Sequence, residues 1–153
     1  MIRNEEEYRA VVGRIKDEAA RLAEYRSKFA AEGLDPDQVQ RLMDPLISFH
    51  EQLVEDVRTY ERLLRGEFAE LRNLKGLGSM LVGLRIFLGL SQRELADRLN
   101  VDASQVSRDE RNEYHNISVE RVSRILDALG VSLISVLELN EIDRTPERKK
   151  EAA

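Results

Sequence analysis

Three helix starts of the same build fall within one short stretch, and they restrict this chain more than any other feature. Ser91 precedes QRELADRL, has Glu94 three residues on, and is flanked by Leu90 and Leu95. Asp102 repeats the arrangement with Gln105, Val101 and Val106. Ser118 repeats it with Ile117 and Val122, although Arg121 stands where an acid or amide would close the box. A short polar side chain at such a position accepts from free backbone N–H groups, the residue three on bonds back, and the flanking apolar pair packs across the cap. Three such starts so close together predict a compact set of short helices and exclude one long helix.

The first two starts define a supersecondary unit. Ser91 to Leu99 reads as a short helix with Leu95, Ala96 and Leu99 facing inward. Asn100-Val101-Asp102 is a three-residue turn in which Asn100 tolerates a left-handed backbone. Ala103 to about Arg111 is the next helix, anchored by Val106, and the small side chain of Ala96 lets the two helices cross closely. This is helix-turn-helix spacing, in which the second helix enters the major groove of DNA. Ahead of it, Met80, Leu81, Leu84 and Leu88 line one face of a further helix that Gly89 closes. The stretch RNLKGLGSM before that reads as a linker. Its Gly76-x-Gly78 lacks the preceding strand and the following GK[ST] of a phosphate loop.

Ala103, Ser104, Gln105, Ser107 and Arg108 fall on the exposed side of Val106. Gln105 has the chemistry to pair with adenine, Arg108 with guanine or a phosphate, and Ala103 with a thymine methyl; Ser104 and Ser107 are small donors that let the helix sit deep. Arg93 and Arg111 are placed for phosphates. Two competing roles stay open: Gln105 closing the cap on Asp102, and Arg108 pairing with Asp109 or Glu110. Asp109, Glu110 and Glu113 would repel phosphates if they faced DNA, and for Glu110 and Arg111 the alternative is holding the domain together.

The N-terminal half has a different rhythm. Asn4 and Glu7 form a capping box, and Tyr8, Val12, Ile15, Ala19, Leu22 and Phe29 follow at alternating four- and three-residue steps, with Arg26 in the one odd slot. This is a heptad seam, stopped at Gly33. Asp35, Pro36 and Gln38 start a second helix, along which Val39, Leu42, Leu46, Phe49, Leu53, Val57, Tyr60 and Leu64 keep helical spacing to Gly66. Pro45 predicts a kink or break. Two long helices joined so tightly pack antiparallel, and because one shared stripe makes a thin structure, a second copy or another partner is expected on the rest.

Charge argues against nucleic acid at first sight, since the net charge is −5. The acidity sits mainly in residues 1–73, with 12 basic and 16 acidic side chains, whereas residues 74–139 hold 8 and 9. Affinity for DNA would therefore rest on a few local phosphate contacts. There is no cysteine, which excludes disulfides and thiolate metal sites and suits a reducing compartment. No stretch approaches the ~18 apolar residues of a membrane span, and MIRNEEEYRA lacks the apolar core of a signal peptide, so a cytoplasmic location is expected. His50 and His115 lie in different segments and no nucleophile–base pair stands out. No catalytic residue, metal site or cofactor is expected, and the chain is not read as an enzyme.

The stretch from Leu88 to Leu133 resembles the Xre-type helix-turn-helix family, which includes the Cro and lambda-repressor-like phage regulators and some antitoxins. The resemblance is carried by Ser91-Gln92, Glu94-Leu95-Ala96, Val101, Ser107-Arg108, Glu110-Arg111 and Leu129-Gly130-Val131. Asn100 and Asn112 stand where glycine is common, Asp109 where an apolar residue is common, and Glu113 to Asn116 form an unusual link. The resemblance implies a phosphate contact for Gln92 at its helix N-terminus. The chain is thus expected to be all-α: an N-terminal antiparallel, coiled-coil-like helical hairpin in residues 1–70 for dimerisation or partner binding, a lambda-repressor-like five-helix domain in 74–139, and a flexible tail in 140–153. The function implied is sequence-specific binding of double-stranded DNA as a homodimeric transcriptional repressor. The alternatives are an antitoxin that holds a toxin protein through the N-terminal helices and autoregulates its promoter, and a helix-turn-helix that serves only as a scaffold.

Overall fold

The computed structural model describes residues 1–138; the tail 140–153 and the last residue of the 74–139 domain lie outside the described residues. All regular structure in them is helical: α1 (Glu5–Ala31), α2 (Pro36–Leu64), α3 (Leu77–Phe87), α4 (Gln92–Leu99), α5 (Ala103–Arg111) and α6 (Val119–Leu129).

α1 and α2 begin at the polar residues expected of them. The Asn4 side chain accepts from the Glu7 backbone N–H at 2.8 Å, but the Glu7 carboxylate reaches back to the N–H of Arg3, at 2.9 Å, rather than to that of the cap. At Asp35 and Gln38 both bonds of the box form, at 2.9 and 3.1 Å. Of the kink or break expected at Pro45 the break does not occur, and α2 is one helix from end to end. Proline removes one N–H and crowds the preceding turn, and it is accommodated inside α2, whose buried residues include Met43 and Leu53. Tyr8 stacks on Tyr60 with 5.2 Å between ring centroids, and Arg14 lies 4.8 Å from the centre of the Phe49 ring. Early α1 thus meets late α2, and the chains of the two helices run in opposite directions. Along α1, Tyr8, Val12, Ile15, Leu22 and Phe29 are only half-buried, Ala19 is exposed, and no residue is fully buried.

The helix-turn-helix half differs from expectation in its count. Four helices, α3 to α6, occupy the described part of residues 74–138, where five were expected. Gly130 ends α6 in a left-handed conformation, and residues 131–138 that follow have no regular structure. Ile134, Val136 and Leu137 are there more than four-fifths exposed, and a fifth helix would need an apolar surface to lie on.

α3 runs through the centre. Leu81, Val82 and Ile86 from α3 join Leu95, Ala96 and Leu99 from α4, Val106 from α5, Tyr114 from the following loop, and Val122, Ile125, Leu126 and Leu129 from α6 in one buried cluster. Ile2 and Tyr60 belong to the same cluster, so the apolar core continues across the boundary expected between the two halves. The stretch from Gly66 to Gly76 packs against α3, with Phe68 edge-on to Phe87 at 5.9 Å. Two glycines mark close approaches. A Cβ on Gly78 would stand 1.8 Å from the Glu113 carbonyl oxygen, and one on Gly83 would stand 2.7 Å from the Leu63 side chain. The Gly76-x-Gly78 spacing thus serves contact between α3 and the loop after α5.

Candidate nucleic-acid interface

The turn between α4 and α5 has the conformation that its residues predict. Ser91 and Glu94 complete their reciprocal cap, with the Ser91 N–H donating to Glu94 at 2.7 Å and the Glu94 N–H to Ser91 Oγ at 3.1 Å. These bonds hold the Glu94 carboxyl below its ordinary pKa, the backbone N–H of Ser91 contributing most. Asn100 caps α4 in a left-handed conformation at φ 55°. Asp102 is positioned as the cap of α5 but its side chain makes no capping bond. The expected box with Gln105 is therefore absent, and the Gln105 side chain is not held by it. Ser118 caps α6 by accepting from the Arg121 N–H at 3.2 Å.

Behind α4 and α5 lies a buried ion pair. The Arg85 guanidinium donates to both carboxylate oxygens of Glu110, with Nη2 to Oε2 at 2.7 Å, and the two side chains are 3% and 0% exposed. Arg85 also donates to the backbone carbonyls of Leu90, at 2.8 Å, and Arg3, at 2.9 Å. Gln92 Nε2 donates to Glu110 at 2.8 Å. A charged pair survives burial only when its remaining donors and acceptors are met, and here the cluster ties α3, the start of α4, α5 and the N-terminal segment together. Gln92, the first residue of α4, is oriented by it, while one amide N–H of Gln92 remains for another acceptor.

The acidic side chains of α5 are turned to partners inside the protein. Glu110 is paired with Arg85, and Asp109 receives Arg121 Nη2 at 2.6 Å. Glu113, just beyond α5, accepts from Ser79 Oγ at 3.3 Å. Among the described residues, Arg93, Arg108 and Arg111 are exposed and make no ion pair, so the pairing of Arg108 with Asp109 or Glu110 does not form. Ala103 and Ser104 are exposed in the first turn of α5, and Gln105 and Ser107 are half-buried. An open cleft of about 750 Å³ brings together Gln92, Arg93, Ala103, Ser104 and Ser107, whereas Gln105, Arg108 and Arg111 lie outside it. Tyr114, next to this loop, is buried, and burial together with the nearby Glu110 and Asp109 pushes its hydroxyl well above the ordinary pKa.

A two-helix unit crossed at a three-residue turn, backed by a third helix and closed by a fourth, is matched by a known family. Residues 84–135 fit the helix-turn-helix family model. The chain carries a helix-turn-helix domain. No curated protein and no solved structure matches the chain. The matched segment takes in the last turn of α3 and all of α4, α5 and α6, while most of α3 and all of α1 and α2 lie outside it.

Two parts of this helix-turn-helix surface escaped sequence reasoning. Arg85 sits alone in the apolar run LVGLRIFLGL, and a solitary arginine there was the available signal for a buried partner. The presence of Arg3, Glu5 and Glu6 at the cleft had a fainter one, the apolar pair Met1-Ile2 ahead of the Asn4 cap.

Proposed function

We propose that this chain is a sequence-specific regulator of transcription that reads double-stranded DNA with α5 and acts as a repressor by occupying a promoter. The observation that carries the reading is the sorting of charge on α5: Asp109 and Glu110 are each paired within the protein, while Arg108 and Arg111 are exposed and free of ion pairs among the described residues. Arg108 and Gln105 read base edges, Ala103, Ser104 and Ser107 line the groove-facing side, and Arg93 and Arg111 hold phosphates. Gln92 reaches a phosphate with the amide N–H that Glu110 leaves free, beside the open N-terminus of α4. Two copies on inverted half-sites about one helical turn apart supply the affinity that one nearly neutral module lacks, and the site of action is the cytoplasm.

Selection of bound genomic fragments tests the reading. The expected product is an inverted repeat with half-sites ~34 Å apart. On that sequence Arg108→Ala lowers affinity by about 1–3 kcal/mol while leaving the melting curve in place. If no sequence is enriched, the regulator reading is wrong; if Arg108→Ala and Gln105→Ala both bind as the native chain does, α5 is not the reading helix.

A second reading has its own observation. On the α1–α2 pair Tyr25, Leu42 and Phe49 are 40%, 49% and 41% exposed, and these side chains suit either a second copy or a toxin held by an antitoxin. Leu42→Asp with Phe49→Asp separates the roles. A dimer becomes a monomer by light scattering, whereas loss of a toxin leaves the mass of the DNA-binding species unchanged.

A further inference from the structure

The first turn of α1 shares the cleft with the surface proposed to read DNA. Glu5 and Glu6 line the same walls as Arg93, Ser104 and Ser107. Their place there is fixed by the core. Ile2 is 3% exposed within the cluster that the helix-turn-helix helices build. The carbonyl of Arg3 accepts from Arg85 at 2.9 Å, and the Tyr8 hydroxyl, one helical turn on, donates to Glu61 at 2.9 Å. The acidic turn therefore cannot swing aside without disturbing buried contacts. Glu5 is exposed and pairs with Arg9 at 3.0 Å. Glu6 is exposed and makes no ion pair among the described residues. Arg3 faces the cleft too but is drawn toward Glu7, 3.4 Å away, which leaves Arg93 as the exposed cation there without an ion pair among the described residues.

We infer that Glu5 and Glu6 form a fixed acidic gate beside α5 that weakens the hold of the domain on DNA of any sequence, so that base-edge bonds are needed to keep it bound. The inference rests on the DNA-reading role of α5. A duplex lowered onto α5 brings phosphates within a Debye length of both carboxylates, so every approach meets the same repulsion. Base-edge bonds from α5 offset that repulsion only on the right sequence. The gate thus subtracts a similar amount from specific and non-specific binding and leaves their ratio unchanged, so that only DNA held by base-edge bonds stays bound at a given protein concentration. The long N-terminal helices gain a role in this way that neither their seam nor their exposed apolar residues express.

Binding of a fluorescent duplex of random sequence by the full chain tests the gate, in a titration from about 50 to about 200 mM salt. Glu6→Gln alone is expected to tighten binding about 2-fold at low salt and Glu5→Gln with Glu6→Gln about 3- to 10-fold, with the gain shrinking as salt rises. Glu24→Gln with Glu32→Gln makes the same change in net charge at least ~28 Å along α1 from Glu5 and is expected to leave binding unchanged. Equal gains in the near and distant pairs would reduce the effect to net charge and overturn the gate. Native-like binding by the Glu5, Glu6 variant, with the native chain binding in a salt-dependent way, would overturn the gate and leave the reading of α5 standing. Absence of binding by every variant at every salt would overturn both.

Discussion

α1 and α6 are both amphipathic helices, and they meet different fates. α6 has eleven residues and fully buries Val122, Ile125, Leu126 and Leu129, whereas α1 has twenty-seven residues and fully buries none. The difference lies in what surrounds the stripe. α6 packs on both α3 and α4. Along most of its length α1 has one neighbour, α2, and a pair of rods can cover only the line along which they touch. A regular apolar pattern therefore states which face wants burial, while the number of bodies around the helix decides how much is achieved. Ile2 and Tyr60, which join the helix-turn-helix core, are buried to its level, while on α2 Met43 and Leu53 are buried outside that cluster.

The largest effect expected from breaking this contrast is at the buried ion pair. Arg85→Met leaves Glu110 charged and alone in the core and should cost about 3–5 kcal/mol, read as a drop in the denaturation midpoint. Replacing Glu110 with Leu as well should recover much of that loss. If Arg85→Met unfolds at the native midpoint, the pair contributes nothing and the core is held by apolar packing alone.

Next in size comes the stripe itself. Ile125→Ala in α6 should cost about 2–5 kcal/mol, as expected where the surroundings cannot collapse into the cavity. Leu22→Ala removes a similar side chain from half-buried α1 and should cost about 1 kcal/mol or less. Equal losses in chemical denaturation would show that the α1–α2 seam is covered in solution by another body, such as a second copy, and a dependence of the α1 loss on protein concentration would identify that body as the chain itself.

The smallest effect concerns the caps, which the two halves share. Ser91→Ala should cost about 1 kcal/mol, with no matching loss for Asp102→Ala, whose side chain caps nothing. The Ser91 cap also carries a pH signature. Its bonds lower the Glu94 pKa beneath the ordinary 4.5, so the native state binds fewer protons than the unfolded one. The contribution is present in full above the unfolded value and fades as pH falls through the folded one. Glu94→Gln should flatten the decline of the melting temperature below about pH 4.5, and an unchanged decline would remove Glu94 from the cap.

Much of this was legible in the residues. Asn100 in its left-handed turn, Ser91 with Glu94, Asp35 with Gln38 and the inward side chains Leu95, Ala96, Leu99 and Val106 are local or short-range features, and short-range geometry follows from residue chemistry. Asp102 with Gln105 has the same residue pattern and forms no box. Pro45 predicted a kink or a break, and α2 runs unbroken through it.

By itself the sequence determined that the chain is helical, where α4, α5 and α6 start, and which short turn joins α4 to α5, since caps, turn residues and apolar spacing act within a few residues. Only the tertiary structure decided that Arg85 reaches Glu110 twenty-five residues away, that Asp109 is taken by Arg121, and that Ile2, Arg3, Glu5 and Glu6 come to rest beside α5. Those outcomes depend on charges and apolar groups distant in sequence being buried together, and no local propensity encodes which of many distant partners a side chain will meet.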